Sequence, residues 1–67
     1  MKLAEILREL REEKEISQKQ LSDKTGISKS AIARWELSQS EPTASALIVL
    51  ANFFNVTVGQ LLGIEDY

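Results

Sequence analysis

Sixty-seven residues with a formal charge of −2 leave room for one domain, residues 1–67, around a small core of modest stability. With no Cys and no His, a disulfide, a thiolate or imidazole metal site and the usual general base are all excluded, so neither an enzyme nor a cofactor is expected. No run of about 18 apolar residues could span a bilayer, and the opening Met1-Lys2-Leu3-Ala4-Glu5 meets acid too early for a signal peptide, which points to a cytoplasmic chain without a membrane partner.

Leu3, Ile6, Leu7 and Leu10 fall at i, i+3, i+4 and i+7 and predict an amphipathic helix over about residues 2–14. Glu5, Glu9, Glu12 and Glu13 alternate with Arg8, Arg11 and Lys14 on its other side, where Arg8 with Glu12 or Arg11 with Glu15 could make weak i,i+4 pairs. Such carboxylates, with no histidine and no apolar pocket, read as a hydrated face rather than as an acid and a base. Ser17 with Gln20 then fits a capping box, so a second helix starts near Gln18. Gly26 closes it, because helices commonly end on a residue of positive φ. Ser28 is an N-cap candidate only two residues on, so a third helix, about 29–37, must leave at a sharp angle. The pair forms a helix-turn-helix.

At 100° per residue the third helix puts Ala31, Ile32 and Trp35 on a core side and Lys29, Ser30, Ala33, Arg34 and Leu37 on an outward side. Lys and Arg can donate to guanine O6 and N7, Ser can reach a base edge or phosphate, and an Ala methyl can touch a thymine methyl. By pattern alone this face suits a DNA groove or plain solvent equally well. Charge distribution adds to the first reading. Residues 1–34 hold all eight cations against six acids, whereas residues 35–67 hold four acids and no cation. Within 17–34, Lys19, Lys24, Lys29 and Arg34 meet only Asp23. Lys19 and Lys24 also fit a helix that is merely kept soluble.

Pro42 sets the chain direction, Thr43 caps a fourth helix running to about Asn55, and Thr57 with Gln60 offers a second capping box for a last helix ending at Gly63. The expected fold is all-α, a compact arrangement of five helices. Leu47, Leu50, Ala51 and Phe54 form the core stripe of the fourth helix, extended by Ala46 and Phe53. Val49 lies off that stripe, and Ile64 and Tyr67 are apolar near an end that nothing need cover. These three are the candidate dimer contacts.

The run Ser17-Gln18-x-x-Leu21-Ser22-x-x-x-Gly26-Ile27-Ser28-x-x-x-Ile32-x-x-Trp35-Glu36, with Pro42 beyond, resembles the lambda-repressor-like (Cro/cI-type, XRE-type) helix-turn-helix domain of bacterial and phage regulators. Leu47-x-x-Leu50-Ala51-x-Phe53-Phe54-Asn55-Val56-x-Val58-x-x-Leu61-Leu62-Gly63 is similar to its last two helices, so the likeness covers nearly the whole chain. It implies sequence-specific binding to double-stranded DNA by a transcriptional regulator, a repressor first of all, with helix 29–37 in the major groove. Ser28, Lys29, Ser30, Ala33 and Arg34 would then face bases, and Gln18, Lys19, Ser38, Gln39 and Ser40 phosphates. The resemblance also implies that Arg11 pairs with Glu36, tying the first helix to the third. A domain of this size reads only a few base pairs, so a homodimer on a pseudo-palindromic operator is expected.

The chain departs from that family between Leu37 and Pro42. The family commonly places Asn or Arg, Gly, and a basic residue there, against Leu37-Ser38-Gln39-Ser40-Glu41 here, so weaker or more salt-sensitive binding is expected. Two other readings fit the sequence. One is a protein-interaction module such as an antitoxin or anti-repressor partner, using the acidic half. The other is a structural domain of a longer chain.

Overall fold

The computed structural model describes residues 2–66, and these form five helices and no strand: α1 (Leu3–Glu13), α2 (Gln18–Thr25), α3 (Lys29–Glu36), α4 (Ala44–Phe54) and α5 (Val58–Leu62). The helix starts follow from local chemistry. Ser17 Oγ accepts from the Gln20 N–H at 3.0 Å while Gln20 Oε1 accepts from the Ser17 N–H at 2.8 Å, and Thr57 with Gln60 repeats the arrangement. Ser28 and Thr43 cap α3 and α4 in the simpler way, each accepting one backbone N–H three residues on. Each cap satisfies a donor that has no partner inside the helix, worth about 1 kcal/mol.

The helix ends are as local. Gly26 and Gly63 stop α2 and α5 at φ +77° and +78°, and Asn55 stops α4 at +57°, a conformation Asn tolerates better than most side chains. At Gly63 a side chain would also collide, since a Cβ there would lie 3.0 Å from Lys2 Cβ and 3.1 Å from Ile6 Cδ1. That close approach docks α5 on the start of α1, where the Lys2 N–H donates to the Leu62 carbonyl at 3.3 Å.

Every helix contributes one fully buried aliphatic side chain: Leu7, Leu21, Ile32, Leu50 and Leu61. Each such burial is worth about 1.5–3 kcal/mol, so the five together fasten all the helices to one centre. Leu3, Ile6, Leu10, Trp35, Ala51 and Phe54 surround them, and Ala31, Ala46, Leu47 and Phe53 pack half-buried at the margin. Phe53 meets Phe54 edge-on at 4.9 Å, and Lys14 Nζ lies 5.6 Å from the Phe53 ring centre. In this packing α3 rests on both α1 and α2, so its orientation is set by two neighbours.

Three sequence expectations are corrected. The third helix ends at Glu36, with Leu37 as its cap, and neither i,i+4 pair of the first helix forms. The chain leaves α1 at Lys14, and Glu15 takes φ +55°, which removes it from the helical row that Arg11 would need. Arg8 has no carboxylate within pairing distance among the described residues. No helix of the described residues is long and apolar enough to cross a membrane.

Candidate nucleic-acid interface

The base of the helix-turn-helix is a buried polar cluster. Glu36, the last residue of α3, is only 5% exposed, and the Arg11 side chain 14%. Arg11 Nε donates to Glu36 Oε2 at 2.8 Å, Nη2 donates to Oε1 at 2.9 Å, and Nη1 donates to the Ile16 carbonyl at 2.9 Å. Gln18 Nε2 adds a further donor to Glu36 Oε1 at 3.1 Å. The fork of the guanidinium matches a carboxylate in a way that Lys could not. The Arg11–Glu36 pair thus joins α1, the α1–α2 link, α2 and α3. The Glu36 hydrogen bond is the main cause holding the Arg11 pKa above its ordinary value, against an opposing effect of burial. Because Arg11 offsets the charge of Glu36 in this way, an acid at the end of α3 need not repel an anion.

From this base α3 presents Lys29, Ser30 and Arg34 to solvent, with Ala33 half-buried and Ser28 exposed at the cap. Ser28 Oγ is occupied by the Ala31 N–H at 3.1 Å, so its hydroxyl serves the helix start first. On α2, Lys19 and Asp23 form an exposed i,i+4 pair at 3.1 Å, which contributes at most about 1 kcal/mol and opens at little cost. Lys24, Lys29 and Arg34 make no ion pair among the described residues. At the start of α2 the Gln18 and Lys19 N–H groups have no acceptor within the described residues, and they sit at the positive end of the helix dipole. That combination suits an anion.

Ser38, Gln39 and Ser40 are all exposed in the turn after α3. Ser38 takes φ +58°, with its N–H donating to the Trp35 carbonyl at 3.1 Å, and the Gln39 N–H donates to the Arg34 carbonyl at 2.8 Å. Glycine would adopt that turn without strain. Glu41 is exposed beside these residues and has no cation partner among the described residues.

Of the candidate dimer residues, Val49 is 39% and Ile64 73% exposed, while Tyr67 lies outside the described residues. Two features escape sequence reasoning. Ile48, 54% exposed, stands beside Val49 on an α4 that has no charged residue at all. Its signal was its place one row from Ser45 and Asn52, masked because almost every α4 residue is apolar. The Gln18 bond to Glu36, between residues 18 positions apart, has no local signal.

A family profile described as helix-turn-helix matches residues 7–61. The chain is 35% identical over 66 residues to the HTH-type transcriptional activator BcrR of Enterococcus faecalis, covering 98% of this chain and 32% of that protein. It is 41% identical over 59 residues to the HTH-type transcriptional regulator AnsR of Bacillus subtilis, covering 88% of this chain and 51% of that one. A third relative, the uncharacterized HTH-type transcriptional regulator YobD of Bacillus subtilis, is 35% identical over 60 residues, covering 90% and 54%. The chain therefore spans about a third to a half of the length of these relatives. No solved structure matches it significantly.

Proposed function

Since the chain belongs to the lambda-repressor-like (XRE-type) helix-turn-helix family of DNA-binding transcription regulators, we propose that it acts by occupying an operator, with α3 in the major groove. The observation that carries this is Lys29 and Arg34, exposed and without an ion pair among the described residues, on a helix whose far end is locked by the buried Arg11–Glu36 pair. Lys29, Ser30, Ala33 and Arg34 read base edges. Ser28, held by its cap, and Lys19, Gln39 and Ser40 serve the flanking backbone together with the free amides of Gln18 and Lys19. Ser38 is a further phosphate donor.

The operator is a pseudo-palindrome bound by two copies, one per half-site, in the bacterial cytoplasm. The sign of regulation is repression wherever the operator overlaps a promoter, because exclusion of polymerase needs no contact beyond DNA. Selection from a random duplex pool, followed by a reporter fused to the enriched site, tests both statements. An enriched two-fold sequence and a reporter that falls on expression are expected. A reporter that rises, as the name of the Enterococcus relative would suggest for that protein, reverses the sign, and a pool without enrichment overturns DNA reading itself.

A further inference from the structure

The outward edge of α1 carries acids that the fold does not use. Glu5, Glu9, Glu12 and Glu13 are exposed and have no cation partner among the described residues. Glu5 with Glu9 and Glu9 with Glu13 are i,i+4 neighbours, and Glu9 with Glu12 are i,i+3, so each pair sets like charges together and mildly destabilises the helix. The cations of α1 do not relieve them. Arg11 is committed to Glu36, Lys14 Nζ lies near the Phe53 ring, and at 100° per residue Arg8 flanks the acids on the side away from Leu10. Beside this edge is a cleft of about 270 Å³, lined by Leu10 of α1, Phe54 at the end of α4, Val56 in the α4–α5 link, and Glu9 and Glu13. It has room for one large apolar side chain. A neighbouring depression lined by Glu5, Arg8, Glu9 and Glu12 continues the acid rim along α1. From Glu5 to Glu13 the rim runs about 12 Å, at 1.5 Å per residue. A single ammonium ion would leave most of that length, and the apolar side of the cleft, unfilled, while a phosphate backbone would be repelled.

We propose that this edge of α1 is a docking surface for a basic segment of a partner protein, which sets one large apolar side chain into the cleft of Leu10, Phe54 and Val56 and lays Lys or Arg along Glu5, Glu9, Glu12 and Glu13. The two parts do different work. Complementary charge speeds encounter and fixes the direction of the segment, whereas the apolar side chain, once desolvated in the cleft, supplies most of the affinity. The like-charge pairs that weaken free α1 become favourable contacts when cations lie along them. This docking goes beyond operator binding and does not rest on it, since it uses none of the α2 and α3 residues assigned to DNA.

The probe is a short synthetic peptide of alternating Lys and Ala with one Leu at its centre, titrated into the full chain without DNA and followed by NMR. Saturable shifts centred on Leu10, Phe54 and Val56 are expected. Replacing the Leu of the peptide by Ser should weaken binding at least about tenfold, because the side chain that fills the cleft is lost. Glu9→Gln together with Glu13→Gln should weaken it about fivefold, and this variant should fold at least as well as the native chain because it removes a like-charge pair. A peptide that does not saturate, or that binds the double variant unchanged, overturns the proposal. Equally tight binding of the Ser peptide or of a linear polyamine would reduce the effect to counterion condensation and overturn it too, as would shifts spread evenly over Glu41, Glu65 and Asp66. If concentrating the chain alone moves the Leu10, Phe54 and Val56 signals, the occupant is a second copy and the proposal of a basic partner falls.

Discussion

Removal of the Arg11 guanidinium should nearly unfold this protein, and removal of its partner as well should restore it. Arg11→Met deletes the donors to Glu36 Oε1, Glu36 Oε2 and the Ile16 carbonyl, leaving a carboxylate that is 5% exposed with Gln18 as its remaining donor. Breaking a buried pair from one side costs about 3–5 kcal/mol. A domain of 67 residues has in total about 3–10 kcal/mol, at roughly 0.05–0.15 kcal/mol per residue. The loss is therefore of the order of the whole stability, and at about 4–8 °C per kcal/mol the melting midpoint should fall by at least about 12 °C. Arg11→Met with Glu36→Leu removes both charges and should return to within about 2 kcal/mol of the native protein, because two apolar groups replace a pair whose desolvation cost largely offset its attraction. Urea titration followed by fluorescence measures this directly, since Trp35 is the only tryptophan, is buried, and adjoins Glu36. A single-variant loss below about 1 kcal/mol would place the pair with exposed salt bridges and refute the argument. So would a double variant as unstable as the single one. The Arg11 pKa is raised in the folded state, so its contribution is complete below the ordinary arginine pKa and is lost only as pH rises past the raised value. Across neutral and mildly alkaline pH, Arg11 should give the stability no slope.

Binding to the operator should weaken steeply with salt. About three or four phosphate contacts per protomer give a slope of roughly −3 to −4 in log affinity against log salt, and a flat titration would exclude a DNA interface built on the α2 and α3 cations. Lys29→Ala and Arg34→Ala should each lose about 1–3 kcal/mol of discrimination at one base pair, whereas Gln18→Ala should weaken all sequences alike. A changed sequence preference in Gln18→Ala, with none in Arg34→Ala, would reverse these roles. Gly63→Ala should destabilise more than Gly26→Ala. Both force a side chain into positive φ, at about 1–2 kcal/mol, but only at Gly63 does the new Cβ meet atoms, those of Lys2 and Ile6, so equal denaturation midpoints would contradict the packing of α5 on α1.

The features legible in the sequence are those decided within one helical turn. Ser17 with Gln20 and Thr57 with Gln60 start helices because donor and acceptor are three residues apart, and Gly26 and Gly63 end them because of their own backbone freedom. The i,i+4 rule failed at Arg11 for a nonlocal reason. A carboxylate 25 residues away, presented in a buried site by α3, offers bidentate geometry that exposed Glu15 cannot match. Periodicity was weakest in α4, where an almost wholly apolar helix hides the boundary between core and surface. Leu47 there is half-buried and the next residue, Ile48, is exposed. The strained Ser38 was also invisible, because a serine carries no mark of positive φ as a glycine does.

That exposed part of α4 decides how two copies should meet. A two-fold contact sets a patch against itself, so any charge in it faces a like charge, and an uncharged patch avoids this. Ser45, Ile48, Val49 and Asn52 are exposed along one stripe of a helix without charged residues, and Ile64 lies beyond it at the C-terminal side. Size limits how much can touch. The Cα trace measures 27 × 23 × 19 Å, so two copies with their α3 helices about 34 Å apart on successive turns of a duplex would meet over a narrow patch. A narrow apolar contact should be weak in solution and form chiefly when the operator holds both copies side by side. Sedimentation should therefore show a monomer at micromolar protein and two protomers per operator in the complex. Ile48→Asp and Val49→Asp should each abolish cooperativity, since a symmetric contact juxtaposes the new charges at a cost of several kcal/mol, while leaving the affinity for an isolated half-site unchanged. One protomer per operator would refute the dimer, and intact cooperativity in both variants would move the contact away from α4, with Ile64→Asp the next surface to probe.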